Sequence, residues 1–389
     1  MPVPVMVIYG TRPEAVKLAP IITGLKDGGQ FRVIVAVTGQ HREMLDQINE
    51  GFGIEPDIDL DIFAHGQSLS SIAAKTLLGV EGVLEEHRPA AVIVQGDTSS
   101  AFVAGLAAFY AKIPVVHVEA GLRTPSIDSP FPEEGNRRLL TRITALHLAP
   151  TETNREALES EGVPADQIVV TGNPVIDALQ QAAARRAVPS DPRVAAALES
   201  AQPLVLVTSH RRESIGTPME NTAGALQRLA ALHPETTFIF PLHANPLVRA
   251  TFRPVLEALP NVVLTEPLDY FELAHVMSRS TLTLTDSGGI QEEAPSLGVP
   301  VVVLRQETER MEGVHAGTAV LVGTDQDRIV DVVHRLLSDS EAHRAMAVAT
   351  NPYGDGQASR RTAEALAAFF GLGPKPADFT TTILGVTRG

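Results

Sequence analysis

The sequence predicts an α/β fold of two Rossmann-like, doubly wound domains in tandem. Three observations carry this. Short apolar runs recur along the chain, each closed by a Gly- or charge-bearing loop and followed by a helical pattern. The pattern breaks once, near the middle, and then restarts, so each half offers about six strands. At 389 residues the chain also exceeds one ordinary core.

In the first half, Val3–Tyr9 reads as a buried parallel strand, with Gly10-Thr11-Arg12-Pro13 opening a helix behind it. Arg12 and Lys17 stand at or just inside that helix N-terminus. Cations there oppose the helix dipole, so a bound anion explains them better than helix stability does; the alternative is a pair of solvated charges. Phe31–Val37 is the next strand and Gln40-His41-Arg42 lies in the loop after it. Pro89–Gln95 ends in Gly96-Asp97-Thr98, where Asp97 either caps the following helix or faces a ligand. Pro114–Val118 ends in Glu119-Ala120-Gly121, and no helix follows that would give this carboxylate a capping task. Ser126 to Pro132 is a Pro-rich loop, and Glu133-Glu134-Gly135-Asn136-Arg137-Arg138 opens a helix. Its i,i+4 pairs, Glu133 with Arg137 and Glu134 with Arg138, also fit plain surface salt bridges. Leu146–Ala149 and Ile168–Thr171 close this half. Ligands of open α/β sheets bind beyond the carboxyl ends of the strands, where Asp97 and Glu119 both fall.

The second half repeats the scheme. Leu204–Thr208 runs into Ser209-His210-Arg211-Arg212, and Thr237–Pro241 into Leu242-His243-Ala244. Val262–Thr265, Leu282–Thr285, Val299–Leu304 and Ala319–Val322 follow. After Leu282–Thr285 comes Asp286-Ser287-Gly288-Gly289, a tight turn before a helix read over Ile290–Leu297, with Gly298 and Pro300 as its stop. Such a turn offers backbone N–H groups to an anion; in the plainer reading Ser287 only caps the helix and Glu292 and Glu293 favour its N-terminus. The expected domains are 1–172 and 173–357, with a helix around 358–370 and an aperiodic, loose tail over 371–389.

Composition narrows the chemistry. The chain has no Cys, so disulfides and thiolate chemistry are excluded. A net charge of −15, no Trp and 4% aromatics speak against nucleic acid. No apolar run is long enough for a bilayer and the start lacks a basic leader, so a cytoplasmic address is expected. No Gly-x-Gly-x-x-Gly follows the first strand, no phosphate-loop Gly-Lys-Ser/Thr occurs, and the histidines lack metal-ligand spacing. Arg12, Lys17, His210, Arg211 and the Ser287-Gly288-Gly289 turn suit phosphate, whereas Asp97, Glu119 and Glu133 form an acidic group suited to proton transfer. A diphosphate site with an acid/base group suggests a nucleotide-sugar enzyme.

These motifs, in this order, resemble the bacterial non-hydrolysing UDP-N-acetylglucosamine 2-epimerases over roughly residues 3 to 370. The carrying stretches are Gly10–Ala15 with Lys17, Gln40–Leu45, Gly96-Asp97-Thr98, His117–Thr124, Pro132-Glu133-Glu134 with Asn136-Arg137, His210–Ser214, Thr285–Ser296 and Asn351–Gly356. The resemblance implies a glycosyltransferase-B type fold with the last helix packing back on the first domain, no cofactor or metal, and a homodimer. It implies reversible inversion at carbon 2 of UDP-GlcNAc to UDP-ManNAc, through elimination and re-addition of UDP around bound 2-acetamidoglucal, for cell-surface polysaccharide synthesis. It assigns catalysis to Asp97, Glu119, Glu133, Lys17 and His210. Substrate contacts fall to Arg12, Arg137, Ser287, Gly288, Gly289 and Glu293, and a second, activating UDP-GlcNAc site to Gln40, His41, Arg211 and His243. The sequence departs from some relatives at Gly66, where they carry Arg, at Leu273, where they carry an aromatic near the uracil, and at Ser209, where Gly is usual. A hydrolysing relative, a glycosyltransferase on the same fold and a non-catalytic nucleotide-sugar regulator are the alternatives.

Overall fold

The structure, a computed structural model, describes residues 1–39, 42–62, 66–211 and 214–380, with side chains of 42–44 excluded. The chain divides into two compact units, Met1–Ala178 with Tyr353–Thr380, and Leu179–Pro352.

The first unit holds strands β1 (Val3–Tyr9), β2 (Phe31–Val37), β3 (Ile58–Asp59), β4 (Ala91–Gln95), β5 (Val115–Val118), β6 (Leu146–Ala149) and β7 (Ile168–Val170). All pair in parallel, in the order β3-β2-β1-β4-β5-β6-β7. Seven strands exceed the expected six by β3, a two-residue edge strand too short to leave a period in the sequence. Chain order reverses between β1 and β4, which opens a crevice at their carboxyl ends. The central strands are apolar on both faces because helices cover both, and Val5–Tyr9 and Ala91–Val94 are all at or near zero exposure.

The second unit holds β8 (Leu204–Thr208), β9 (Thr237–Pro241), β10 (Val262–Thr265), β11 (Leu282–Thr285), β12 (Val301–Val303) and β13 (Ala319–Leu321). They too are parallel, in the order β10-β9-β8-β11-β12-β13, with the reversal between β8 and β11. Phe240 and Phe252 meet edge-on at 4.8 Å in its core. The helix expected over Ile290–Leu297 is shorter. It runs Gly288–Glu293 and tightens to a 3₁₀ turn at Ala294–Leu297, because Pro295 has no N–H to give an α-helical ladder. Gly298, at φ +70°, closes it.

The helix Ala358–Phe369 belongs to the first unit, where the Phe370 ring beyond it lies 6.3 Å from that of Phe31. The segment after it is not loose as far as Thr380. The N–H of Phe379 donates to the Val170 carbonyl (2.7 Å) and the Asp378 carboxylate accepts from the Val170 N–H (2.8 Å). These bonds satisfy the open edge of β7, and Arg155 pairs with Asp378 at 2.6 Å. Phe379 is buried beneath Arg361, whose guanidinium carbon lies 5.5 Å from the ring centre. A single docked strand edge needs no periodicity, which is why the sequence reads as a tail. Residues 381–389 lie outside the described residues. No described helix is long and apolar enough to cross a membrane.

Candidate active site

In the first unit the two loops flanking the sheet reversal are tied together by Glu14. Its buried carboxylate accepts from the N–H groups of Gly10 (3.0 Å) and Thr11 (2.7 Å), and from the Thr98 hydroxyl (2.6 Å). Burial pushes its acid form up. The Thr-x-x-Glu spacing of a capping box, Thr11 to Glu14, was the available sequence signal for this residue. Gly10 is obligatory: a Cβ there would lie 2.0 Å from the Thr38 hydroxyl.

Thr98, not Asp97, caps the helix Ser99–Tyr110, accepting from the Ala101 N–H at 3.0 Å. Asp97 is thereby free of a capping task and instead accepts from Nε of Arg137 at 2.8 Å, while Asn136 bonds its carbonyl at 2.8 Å. Burial raises the pKa of Asp97; Arg137 opposes this and the charge of Glu119 adds to it.

Glu119 leaves β5 with φ +65°, a left-handed backbone that a non-glycine residue adopts at a cost. This conformation turns the carboxylate to where donors converge on it. Lys17 Nζ lies 2.6 Å from both oxygens, Asn173 donates at 3.3 Å, and the Gln95 amide donates as well. Lys17 was expected on an anion; in this state its ammonium is committed to Glu119 because their helix and strand ends adjoin. Behind the pair, His117 donates from Nε2 to the Gly96 carbonyl at 2.7 Å and props the loop that carries Asp97. Burial pushes the His117 pKa down to about 4 and that of its cross-strand neighbour His147 down to about 3.

The helix Glu133–Ile143 corrects the charge pairing read from the sequence. Glu134 is fully buried, not a surface partner, and takes Arg137 at 3.0 Å, Arg138 at 2.7 Å and the Thr124 N–H at 3.1 Å. Burial pushes its acid up, but these bonds outweigh that and hold it below the usual range. Arg137 therefore pairs with Glu134 and Asp97, not with Glu133, and Glu133 makes no ion pair among the described residues. Arg12, the first residue of the helix Arg12–Asp27, likewise makes none.

The second unit gathers its candidates at the β8/β11 reversal, where the Thr208 and Thr285 hydroxyls meet at 2.6 Å. Asp286, fully buried, takes the N–H groups of His210 (2.8 Å) and Arg211 (3.0 Å) on Oδ2. Ser209 adds its hydroxyl to the same oxygen at 3.2 Å. Ser287 stands at the N-cap position of Gly288–Glu293 without a side-chain capping bond, so the plainer reading of it fails; its N–H bonds the Thr285 hydroxyl at 2.9 Å. A Cβ on Gly288 would meet the Arg310 guanidinium at 3.0 Å, and one on Gly289 would lie 3.8 Å from the Glu293 carboxylate. His210 stacks on His243 with ring centres 5.9 Å apart. Arg211 reaches the Asp286 carbonyl (3.3 Å) and Glu309 (3.6 Å). Near Leu273, Arg185 lies over the Phe271 ring at 5.3 Å. Gln40 and His41 lie outside the described residues.

Partly buried carboxylates beside one sheet reversal and a Gly-Gly turn at another, each on a doubly wound parallel sheet, are the layout of a nucleotide-sugar-type enzyme of glycosyltransferase-B fold. At the level of fold alone, a glycotransferase of kitacinnamycin superposes with a TM-score of 0.63 at 15% identity, covering 95% of this chain and 99% of that one. The chain belongs to the UDP-N-acetylglucosamine 2-epimerase family, whose model matches residues 24–367. A UDP-N-acetylglucosamine 2-epimerase of Yersinia pestis is 48% identical over 367 residues, 93% of this chain and 98% of that protein. The crystal structure of UDP-GlcNAc 2-epimerase from Neisseria meningitidis bound to UDP-GlcNAc is 44% identical with a TM-score of 0.79, covering 94% of this chain and all of that one.

Proposed function

We propose that the protein interconverts UDP-GlcNAc and UDP-ManNAc without net hydrolysis. Family membership supports the substrate, and the Asp97–Glu119 pair of acids, one raised in pKa by burial and one ringed by donors, is the single observation that supports the chemistry. A carboxylate base takes the proton from carbon 2 while the bond from carbon 1 to the diphosphate oxygen breaks. Its electron pair leaves with UDP, and carbons 1 and 2 become doubly bonded in 2-acetamidoglucal. UDP then adds back through a β-phosphate oxygen at carbon 1 as a proton reaches carbon 2 from the other face. An acid raised in pKa by burial, beside a second carboxylate held by donors, suits such an exchange.

In this reading Asp97, Glu119 and Glu133 share the proton transfers, and Lys17 holds Glu119 in place until substrate arrives. Arg12, His210 and the Ser287-Gly288-Gly289 turn retain the diphosphate, the leaving group that must not escape. Arg137 steadies Asp97, and Glu293 binds the ribose. Arg211 and His243, with Gln40 and His41, line an activating second site. Domains of 1–172 and 173–357, a homodimer and a cytoplasmic address supplying polysaccharide synthesis belong to the same proposal.

Anion-exchange analysis of UDP-GlcNAc incubated with the purified chain tests it. UDP-ManNAc is expected as the accumulating product. Free ManNAc formed in step with UDP contradicts the proposal in favour of hydrolysis.

A further inference from the structure

We propose that Asp286 is a positioning residue for His210, fixing the imidazole proton on Nδ1 and leaving Nε2 as the acting nitrogen. The catalytic consequence rests on the role given to His210 above; the geometry stands by itself. Oδ2 of Asp286 is filled by the N–H groups of His210 and Arg211 and by the Ser209 hydroxyl. Oδ1 is buried and has no hydrogen-bond partner of its own, yet Nδ1 of His210 lies 3.2 Å from it. An ionised carboxylate accepts on both oxygens, and one left unpaired inside a protein is costly. A proton on Nδ1 relieves that cost. A lone pair on Nδ1 would set two acceptors 3.2 Å apart. The ring nitrogen that meets the carboxylate thus determines which nitrogen is left to act.

The carboxylate cannot easily turn away, because the backbone bonds from two successive residues fix its plane. The ring is further confined by the stacked His243. Asp286 therefore couples the loop after β8 to the turn after β11, and couples both to the tautomer of one histidine. It lies directly before the Ser-Gly-Gly turn, where it passes for an ordinary turn residue.

Asp286→Asn separates this role from mere support. The amide oxygen must take the Oδ2 place, since two N–H donors point there. The NH₂ group then faces Nδ1, which has to accept, and the proton moves to Nε2. ¹⁵N spectra of the full chain, with His210 assigned through His210→Gln, are expected to show an Nδ1-protonated ring in the wild type and an Nε2-protonated ring in Asp286→Asn. Turnover of UDP-GlcNAc should fall by about a hundredfold or more with KM and UDP affinity within about threefold. A wild-type ring protonated on Nε2 overturns the proposal, even if the variant does not fold. So does a variant with unchanged tautomer, whether it keeps its turnover or loses turnover and UDP affinity together. A wild type inactive on UDP-GlcNAc would count against the proposed function, while the tautomer spectra would still decide the positioning.

Discussion

Lys17 Nζ sits 2.6 Å from each carboxylate oxygen of Glu119, a contact between residues 102 apart in the chain. The pair is partly buried, so removing the ammonium leaves a carboxylate without its counter-charge. Lys17→Gln is expected to lower kcat by about a hundredfold or more, and Glu119→Gln by at least as much. Because the two act as a unit, the double variant should be no worse than Glu119→Gln alone. Fully additive losses in steady-state kinetics would show that they act separately.

The left-handed backbone of Glu119 makes a prediction about stability. Alanine at this position keeps the strain and glycine relieves it. Glu119→Gly should therefore be more stable than Glu119→Ala by about 1 kcal/mol, despite glycine's greater freedom in the unfolded chain. Denaturant melts of the two variants check the order; a more stable alanine variant contradicts the strain.

Asp97→Asn is expected to remove turnover while UDP affinity stays within about tenfold. Ser287→Ala should do the reverse, weakening UDP binding by about tenfold with a smaller effect on kcat, because its side chain has no capping bond to lose. UDP titration calorimetry with parallel rate measurements separates the two. Equal effects of both substitutions on binding would contradict the separate roles given to Asp97 and Ser287.

Much of this was legible in the sequence, for a physical reason. Buried parallel strands are continuous apolar runs, so their carboxyl ends mark themselves, and Asp97, Glu119, His210 and Ser287 all stand just beyond such ends. What the sequence did not disclose was which groups would meet. Glu134 shows the same i,i+4 spacing as a solvated helix pair, yet it is fully buried under Arg137 and Arg138. Lys17 sits near a helix N-terminus as an anion binder would, but tertiary packing delivers it to Glu119. Asp286 was hidden because its partners come from a loop more than 70 residues earlier (|i−j| of 75 to 77).

The buried histidines predict a pH response. His117 and His147 are held neutral, with pKa values lowered to about 4 and about 3. The unfolded chain takes up protons near pH 6.5 and the native state does not, so their contribution is present above about 6.5 and is lost as pH falls toward 4. Each should add about 1.4 kcal/mol of destabilisation per pH unit in that window. His147→Asn should flatten the curve of unfolding free energy against pH by the share of one histidine. An unchanged slope would mean that the ring is protonated in the native state.

The docked C-terminal segment makes the last stability prediction. Phe379→Ala removes a buried ring from the β7 edge and should cost about 3 kcal/mol in the first unit. Hydrogen exchange at Val170, whose N–H bonds Asp378, should quicken in the same variant. Exchange and stability equal to wild type would show that the segment does not hold the edge in solution.

The central claim is that the carbon 2 proton leaves and returns while UDP is retained. Proton NMR of UDP-GlcNAc with the purified chain in heavy water tests it most directly. The account predicts UDP-ManNAc carrying deuterium at carbon 2, with no free sugar accumulating. UDP-ManNAc that retains its original proton at carbon 2, or free ManNAc accumulating with UDP, would contradict it.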